Sequence, residues 1–263
     1  MDRAAALVEA IASQGGPRLP AVEWHATIGS TSDRLKQLAR AGVAEWTAVL
    51  AERQTGGRGR EGRSWQSPPG GLYLSVLLRP SGAQSGLLPL AAGVAVAEAV
   101  AGLGVACQLK WPNDVLVSGR KLAGILAEAS SGSAGVDWVV LGIGVNVALD
   151  PASLSAELRD GVTSLAAEGG GEAGPDAVAA AVLARLAVWY DALREAPSRV
   201  AAAWRERAVP WWGRLVEVRS GTAVLRGRLT AVDDEGALVI ELPGGEMRRL
   251  VSGEVSRLRP AGS

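Results

Sequence analysis

Phenylalanine is absent from this 263-residue chain, and cysteine and histidine occur once each, as Cys107 and His25. One cysteine cannot close an intramolecular disulfide, and it argues against a cysteine-rich metal site, which suits a reducing compartment. Cys107 reads as a small core residue. One histidine excludes a histidine metal cluster. Beside Trp24 and with no evident partner, His25 reads as structural or exposed rather than as a general base. Catalysis therefore falls to other groups. Without phenylalanine the nine tryptophans must serve the core, so Trp24, Trp46, Trp138, Trp189 and Trp204 read as packing residues.

No sign of charge predominates, with 27 acidic and 27 basic residues. That argues against a nucleic-acid coat or a polybasic membrane patch and leaves any binding local. The longest apolar stretch, residues 87–100, contains Pro89, Gly93 and Glu98, and the first residues lack the pattern of a signal peptide. A soluble cytoplasmic protein that neither enters nor coats a membrane is expected. Lysine is also scarce: of the 27 basic residues only Lys36, Lys110 and Lys121 are lysines. Two of these three fall in one segment, Lys110-Trp111-Pro112-Asn113-Asp114 followed by Lys121-Leu122-Ala123-Gly124-Ile125. A chain that otherwise uses arginine has kept a compact, mobile point charge at two neighbouring places. Alone, this would also fit an ordinary charged hairpin.

Upstream lies Gln54-Thr55-Gly56-Gly57-Arg58-Gly59-Arg60-Glu61-Gly62-Arg63-Ser64-Trp65, between strand-like runs at 47–49 and 72–78. Its glycines permit close backbone approach, and its three arginines bring bidentate donors for phosphate or carboxylate. A solvated loop or a non-specific RNA-binding segment would share this composition. This segment occurs once, is framed by apolar strands and ends in Trp65, which favours an ordered anion loop.

Periodicity places helices over 3–13, 31–41, 87–101, 175–195 and 198–209, and strands over 22–25, 47–52, 72–78, 115–117, 122–128 and 138–147. Ser30 or Thr31 followed by Asp33 reads as a helix cap, which is sufficient by itself, although the same amides and hydroxyls could face a ligand. Lys121 starts a return strand after a turn at Ser118-Gly119. In 138–147 the odd positions from 139 are apolar, while Gly142, Gly144 and Asn146 leave the other face bare, for a packed neighbour or for a ligand. The glycine-rich 159–174 region reads as a flexible connector. After Trp212 the texture becomes short strands at 214–219, 223–232, 237–242 and 246–251, as in a small antiparallel barrel. A boundary is placed there, giving domains 1–212 and 213–263.

With these motifs in order, the chain resembles the biotin protein ligases from Trp24 to Arg259. The anchors are Ser30-Thr31-Ser32, the Gln54 to Trp65 loop, Lys110 to Asp114, Arg120 to Leu126, and Gly142-Ile143-Gly144-Val145-Asn146. Position 32 is Ser where the family commonly has Asn. The resemblance implies an α+β fold, a mixed-sheet biotin/lipoate ligase-like catalytic domain with a small SH3-like C-terminal barrel. It implies biotin and ATP as substrates, with Mg²⁺ on the nucleotide and no metal cage of protein ligands. It also implies a biotinyl-5′-AMP intermediate and a biotin carboxyl carrier domain as acceptor. Biotin binding would fall to Ser30, Thr31, Ser32, Gln54, Gly57, Arg58, Gly59, Arg60, Lys121 and Gly124. ATP binding would fall to Arg58, Arg60, Arg63, Trp65, Lys110, Asn113 and Asn146, with Arg257 or Arg259 reaching the phosphates from the barrel. Lys121 would bridge carboxylate and α-phosphate, with Arg60 and Asp114 as further catalytic candidates, although an Asp beside Asn in a turn is structural as often. Some 20 residues before Trp24 are too few for the DNA-binding domain of repressor members, so no specific DNA partner is expected, and a homodimer is left open. The rivals are a lipoate or octanoate transferase of the same fold and a non-catalytic nucleic-acid module.

Overall fold

Strands β1 (Val22–His25), β2 (Ala48–Ala51), β3 (Gly71–Leu78), β4 (Gln108–Lys110), β5 (Asp114–Val117), β6 (Arg120–Gly132) and β7 (Gly135–Asn146) form one sheet, ordered β1-β2-β3-β7-β6-β5-β4. They are seen in a computed structural model that describes residues 3–80, 82–132, 135–220, 222–251 and 253–257. β1 pairs parallel with β2, and the other neighbours are antiparallel, so the sheet is mixed as expected.

Strand alternation divides the side chains between two faces. Leu72, Leu74, Val76 and Leu78 of β3 and Val139, Leu141, Ile143 and Val145 of β7 enter the main core with α3 (Leu88–Ala101), α5 (Pro175–Glu195) and α6 (Pro197–Glu206). Each buried aliphatic there contributes roughly 1.5–3 kcal/mol, so a polar residue at Leu141 would break the fold before any site. α3 is buried almost all round, as a helix of alanine, valine and leucine must be to hold its place. On the opposite face lies α2 (Thr31–Arg40), whose Leu35 and Ala39 pack on Val49, Leu77, Trp138 and Val140. Ser30 caps α2 in extended conformation, accepting from Asp33 N at 3.3 Å, and Asp33 and Arg40 sit at the ends that suit the helix dipole. α1 (Arg3–Ser13) packs on α5 and ties to it through Arg3 and Asp176.

The 159–174 region differs from the flexible connector expected of its glycines. After α4 (Ala156–Arg159) it runs along the sheet, where Lys121 N donates to Gly161 O at 2.8 Å, Thr163 N to Lys121 O at 3.0 Å and Leu165 N to Asn146 O at 2.9 Å. Non-local backbone pairing holds it.

The second sheet is antiparallel, in the order β11-β10-β9-β8-β12. It comprises β8 (Leu215–Ser220), β9 (Ala223–Val232), β10 (Leu238–Glu241), β11 (Met247–Leu250) and β12 (Glu254–Arg257). Four of these strands match the expected runs, and β12 is additional. Its inner residues Val216, Val218, Leu229, Ile240 and Val255 join the same continuous core as the first sheet. The turn after β9 docks beside β4: Trp111 Nε1 donates to Gly236 O at 3.0 Å, and Arg205 Nη1 donates to Val232 O at 2.9 Å.

Candidate functional site

On the α2 side, the sheet is apolar at one end and stripped at the other. Gly142, Gly144 and Gly124 stand where side chains would fill the space, and each has a specific neighbour. A Cβ on Gly144 would lie 2.7 Å from the Trp65 indole, one on Gly124 2.8 Å from it, and one on Gly142 2.9 Å from Ser32 Oγ. Trp65 and the start of α2 therefore press on the bare face, and between them opens a cavity of about 520 Å³. That falls within the roughly 300–1,000 Å³ of small-molecule sites. Ser30, Thr31, Ser32, Gln54, Arg58, Gly59, Arg60, Arg63, Trp65, Lys110, Asn113, Asp114, Lys121, Gly124 and Asn146 all line it; Gly57 does not, and among the expected site residues whose side chains are described it is the only exception.

One end of the cavity is neutral. Gln54 Oε1 accepts from Thr31 N at 2.9 Å and from Thr31 Oγ1 at 3.0 Å, while Gln54 Nε2 donates to Ser67 Oγ at 2.9 Å. Gly57 lies behind this end: a Cβ on it would come within 2.4 Å of Trp65 O, so only glycine fits. The loop is folded on itself, with Trp65 N donating to Gly57 O at 2.9 Å and Gly59 N to Arg63 O at 2.7 Å. At its tip Glu61 and Gly62 take positive φ of 55° and 75°.

The other end carries charge. Lys121 Nζ lies 2.6 Å from Asp114 Oδ1 and 5.2 Å from the centre of the Trp65 ring. Arg60 donates to Gly253 O at 3.1 Å, and burial pushes its pKa down. Arg63 pairs with Glu254. Glu254 is held below the usual carboxylate range, chiefly by Arg63, with Lys110 and Lys121 adding to the field. The second sheet thus reaches the cavity through Gly253 and Glu254. Arg257 lies on β12, but its side chain and the whole of Arg259 are outside the described residues.

Three further expected nucleotide contacts, Arg58, Asn113 and Asn146, also have protein partners. The Arg58 guanidinium lies 2.5 Å from Glu128 Oε2 and 2.9 Å from Asp33 Oδ1, and Lys36 is 3.0 Å from each of the same two acids. Asn113 donates to Ile125 O at 2.6 Å, and Asn146 donates to Lys121 O and Thr163 O at 3.2 and 3.0 Å. Both asparagines pin the strand that carries Lys121. Arg58 Nε and Trp65 Nε1 are buried without a hydrogen-bond partner. His25 does have a partner, with Nε2 3.2 Å from Glu23 Oε2, and lies outside the cavity lining. Cys107 is half-buried, and burial pushes its thiol up to about 12, which makes it inert. Sequence reasoning missed Glu128, Ser75 and Glu254. Glu128 alone had a local signal, two residues beyond the anchor that ends at Leu126.

Residues 24–146 match the model of the biotin/lipoate A/B protein ligase family, and residues 212–258 match the biotin protein ligase C-terminal domain. The biotin-[acetyl-CoA-carboxylase] ligase of Paracoccus denitrificans is 38% identical over 211 residues, covering 75% of this chain and 85% of its own. That of Mycobacterium tuberculosis is 37% identical over 245 residues, covering 89% and 88%. The biotin protein ligase from Aquifex aeolicus in complex with biotin and ATP superposes with a TM-score of 0.78 at 31% identity, covering 92% of this chain and 100% of that one. Fold and cavity are thus of the class shared by biotin and lipoate ligases. Within that class, the chain belongs to the biotin protein ligase family.

Proposed function

We propose that this chain attaches biotin to a specific lysine of a biotin carboxyl carrier domain, using ATP in two steps. The biotin carboxylate attacks the α-phosphorus of ATP, giving biotinyl-5′-AMP and pyrophosphate. The carrier amine then attacks the mixed anhydride, forming the amide and releasing AMP. The observation that carries this reading is one cavity with a neutral hydroxyl-and-amide end and a cationic end. A ureido ring needs the first, and a carboxylate meeting a triphosphate needs the second. Two unit charges ~4 Å apart repel by ~1 kcal/mol in water and ~4 kcal/mol at an effective dielectric constant of 20, so cations at the reacting end are required.

Within the proposal, Ser30, Thr31, Ser32 and Gln54 hold the ring, and the main chain of Arg58 and Gly59 borders it, with Gly57 shaping the loop behind. Lys121 follows the carboxylate oxygen as it becomes an acyl phosphate, and Asp114, 2.6 Å away, aims it. Arg60, Arg63 and Lys110 face the phosphates, and Trp65 flanks the nucleotide. Mg²⁺, which the ligase reading brings in with ATP, is assigned to the phosphates themselves. The division into a catalytic part, 1–212, and a C-terminal part, 213–263, belongs to the same proposal, supported by the break between the two sheets. The reading needs neither membrane nor specific DNA, places the protein in the cytoplasm and is compatible with a homodimer. No helix among the described residues is long and apolar enough to cross a membrane.

The test is isotope exchange between ATP and pyrophosphate, followed by labelling of a carrier domain. Exchange that requires biotin supports the reading, and exchange driven equally by lipoate would move the chain to the other branch of the class.

A further inference from the structure

Ser75 is the one aliphatic hydroxyl in β3, and it is 0% exposed. Alternation points it to the α2 side, where its Oγ lies 2.8 Å from Thr31 Oγ1 and 3.0 Å from Ser32 Oγ. A hydroxyl has one proton to give, so the direction of this chain can be worked out. Thr31 N can only donate, and it meets Gln54 Oε1 at 2.9 Å, which fixes the oxygen side of that amide. The amide nitrogen agrees, since it donates to Ser67 Oγ, whose own proton goes to Trp65 O at 3.0 Å. A carbonyl oxygen only accepts, so the Thr31 hydroxyl donates to Gln54. With that proton spent, Thr31 Oγ1 accepts from Ser75. With the Ser75 proton spent, Ser75 Oγ accepts from Ser32. The protons run one way, from Ser32 through Ser75 and Thr31 to Gln54.

Thr31 and Ser32 therefore keep lone pairs, and no proton, for the cavity they line. Ser30 is set the other way: its Oγ accepts from Asp33 N, which leaves its proton to give.

We infer that Ser75 is a positioning residue for ring recognition, taking up the Ser32 proton and so locking that hydroxyl as an acceptor beside Thr31, which Gln54 already holds as one, so that this wall takes the N–H donors of a cyclic urea. The inference rests on the biotin reading and deepens it. Ser75 touches no substrate and acts through the Ser32 hydroxyl. Gly142 serves the same arrangement, because a Cβ there would come within 2.9 Å of Ser32 Oγ.

Ser75→Ala removes the lock without adding bulk. In biotin-dependent pyrophosphate exchange, the KM for biotin rises roughly tenfold, the worth of one lost hydrogen bond. The kcat at saturating biotin and the KM for ATP stay within about twofold. The decisive readout is the preference for biotin over a biotin methylated on one ureido nitrogen. The unaltered protein rejects the methylated ring, and Ser75→Ala loses part of that preference, which a merely structural role would leave in place. Ser75→Cys, a weaker donor of similar shape, falls between the two and carries the test should the alanine variant not fold. An unchanged KM for biotin, or an unchanged preference between the two rings, overturns the assignment. Absence of biotin-dependent exchange in the unaltered protein would instead end the ligase reading.

Discussion

At the neutral end of the cavity, side chains satisfy one another, whereas at the charged end cations are satisfied by carboxylates and a carbonyl, which on the proposed reading a nucleotide would replace. The first arrangement is complete before a ligand arrives and offers only a fixed pattern of lone pairs and protons. It selects. The second holds Lys121 against Asp114, Arg63 against Glu254 and Arg60 against Gly253 O, so its donors stay aimed and soluble but must change partner to act. Such an end trades contacts. On the proposed reading, specificity and chemistry fall to different halves of one pocket, and substitutions should separate them.

The largest separation is expected at Lys121. Lys121→Ala should slow adenylation by roughly 10²–10³, the scale of losing one preorganised electrostatic contact, while biotin binding weakens less. Supplying preformed biotinyl-5′-AMP should restore most carrier labelling, because that step begins after the two anions have been joined. Lys121→Arg should not recover full rate, since a planar fork cannot replace a point charge 2.6 Å from Asp114. Full activity of Lys121→Ala in both steps would leave it an ordinary hairpin lysine.

Ligand linkage probes the selective end. Biotin at ~100 times its dissociation constant should stabilise the folded state by roughly 2.7 kcal/mol. Lipoate, which lacks ureido N–H groups, should not. Equal shifts in melting temperature from both would mean that the ring end does not read the ureido group.

Beside the cavity, which only Arg58 of the four lines, the cluster of Arg58, Lys36, Asp33 and Glu128 joins the loop, α2 and β6. Glu128→Gln leaves two cations facing Asp33 alone, and the Arg58 tether slackens. The KM for biotin should rise roughly three- to tenfold, in line with a partly buried charged hydrogen bond, and less so as salt is raised, because screening already weakens that pair in the unaltered protein. Unaltered biotin kinetics at all salt concentrations would reduce the cluster to surface decoration.

How much of this was legible beforehand depended on how local each signal is. The cap at Ser30, the bare face at Gly142 and Gly144, and Lys121 after its turn are written in spacings of two to four residues, and the elements follow them. Ser75 sits in an apolar strand, where one serine is indistinguishable from filler; its meaning comes from Thr31 and Ser32, more than forty positions away. The 159–174 segment has the composition of a linker, yet its backbone pairs with Lys121 and Asn146, a fact no window of sequence contains. The three arginines of the loop advertised an anion, but nothing nearby announced that Glu254, nearly two hundred residues on, would hold one of them.

The smallest effect, and the sharpest on the trading end, belongs to Glu254. Its carboxylate occupies Arg63 in the field of Lys110 and Lys121, so on the proposed reading it would compete with the phosphates for the same cations. Both partners are largely exposed, with side chains 59% and 42% accessible, and such pairs contribute about 0–1 kcal/mol. Glu254→Gln should therefore lower the KM for ATP by a factor of about two to five, at the scale set by that same range, leaving the KM for biotin unchanged. A rise in the KM for ATP would show instead that Glu254 holds Arg63 in its working position. The pH dependence follows from the sign of the shift: the folded state holds this carboxyl below its ordinary value of 4.5, chiefly through Arg63. Its contribution to stability is thus full above 4.5 and is lost as pH falls through the depressed value. Thermal midpoints of the unaltered protein and Glu254→Gln should differ slightly at neutral pH and converge on acidification. A gap that persisted at low pH would place the effect in packing rather than charge.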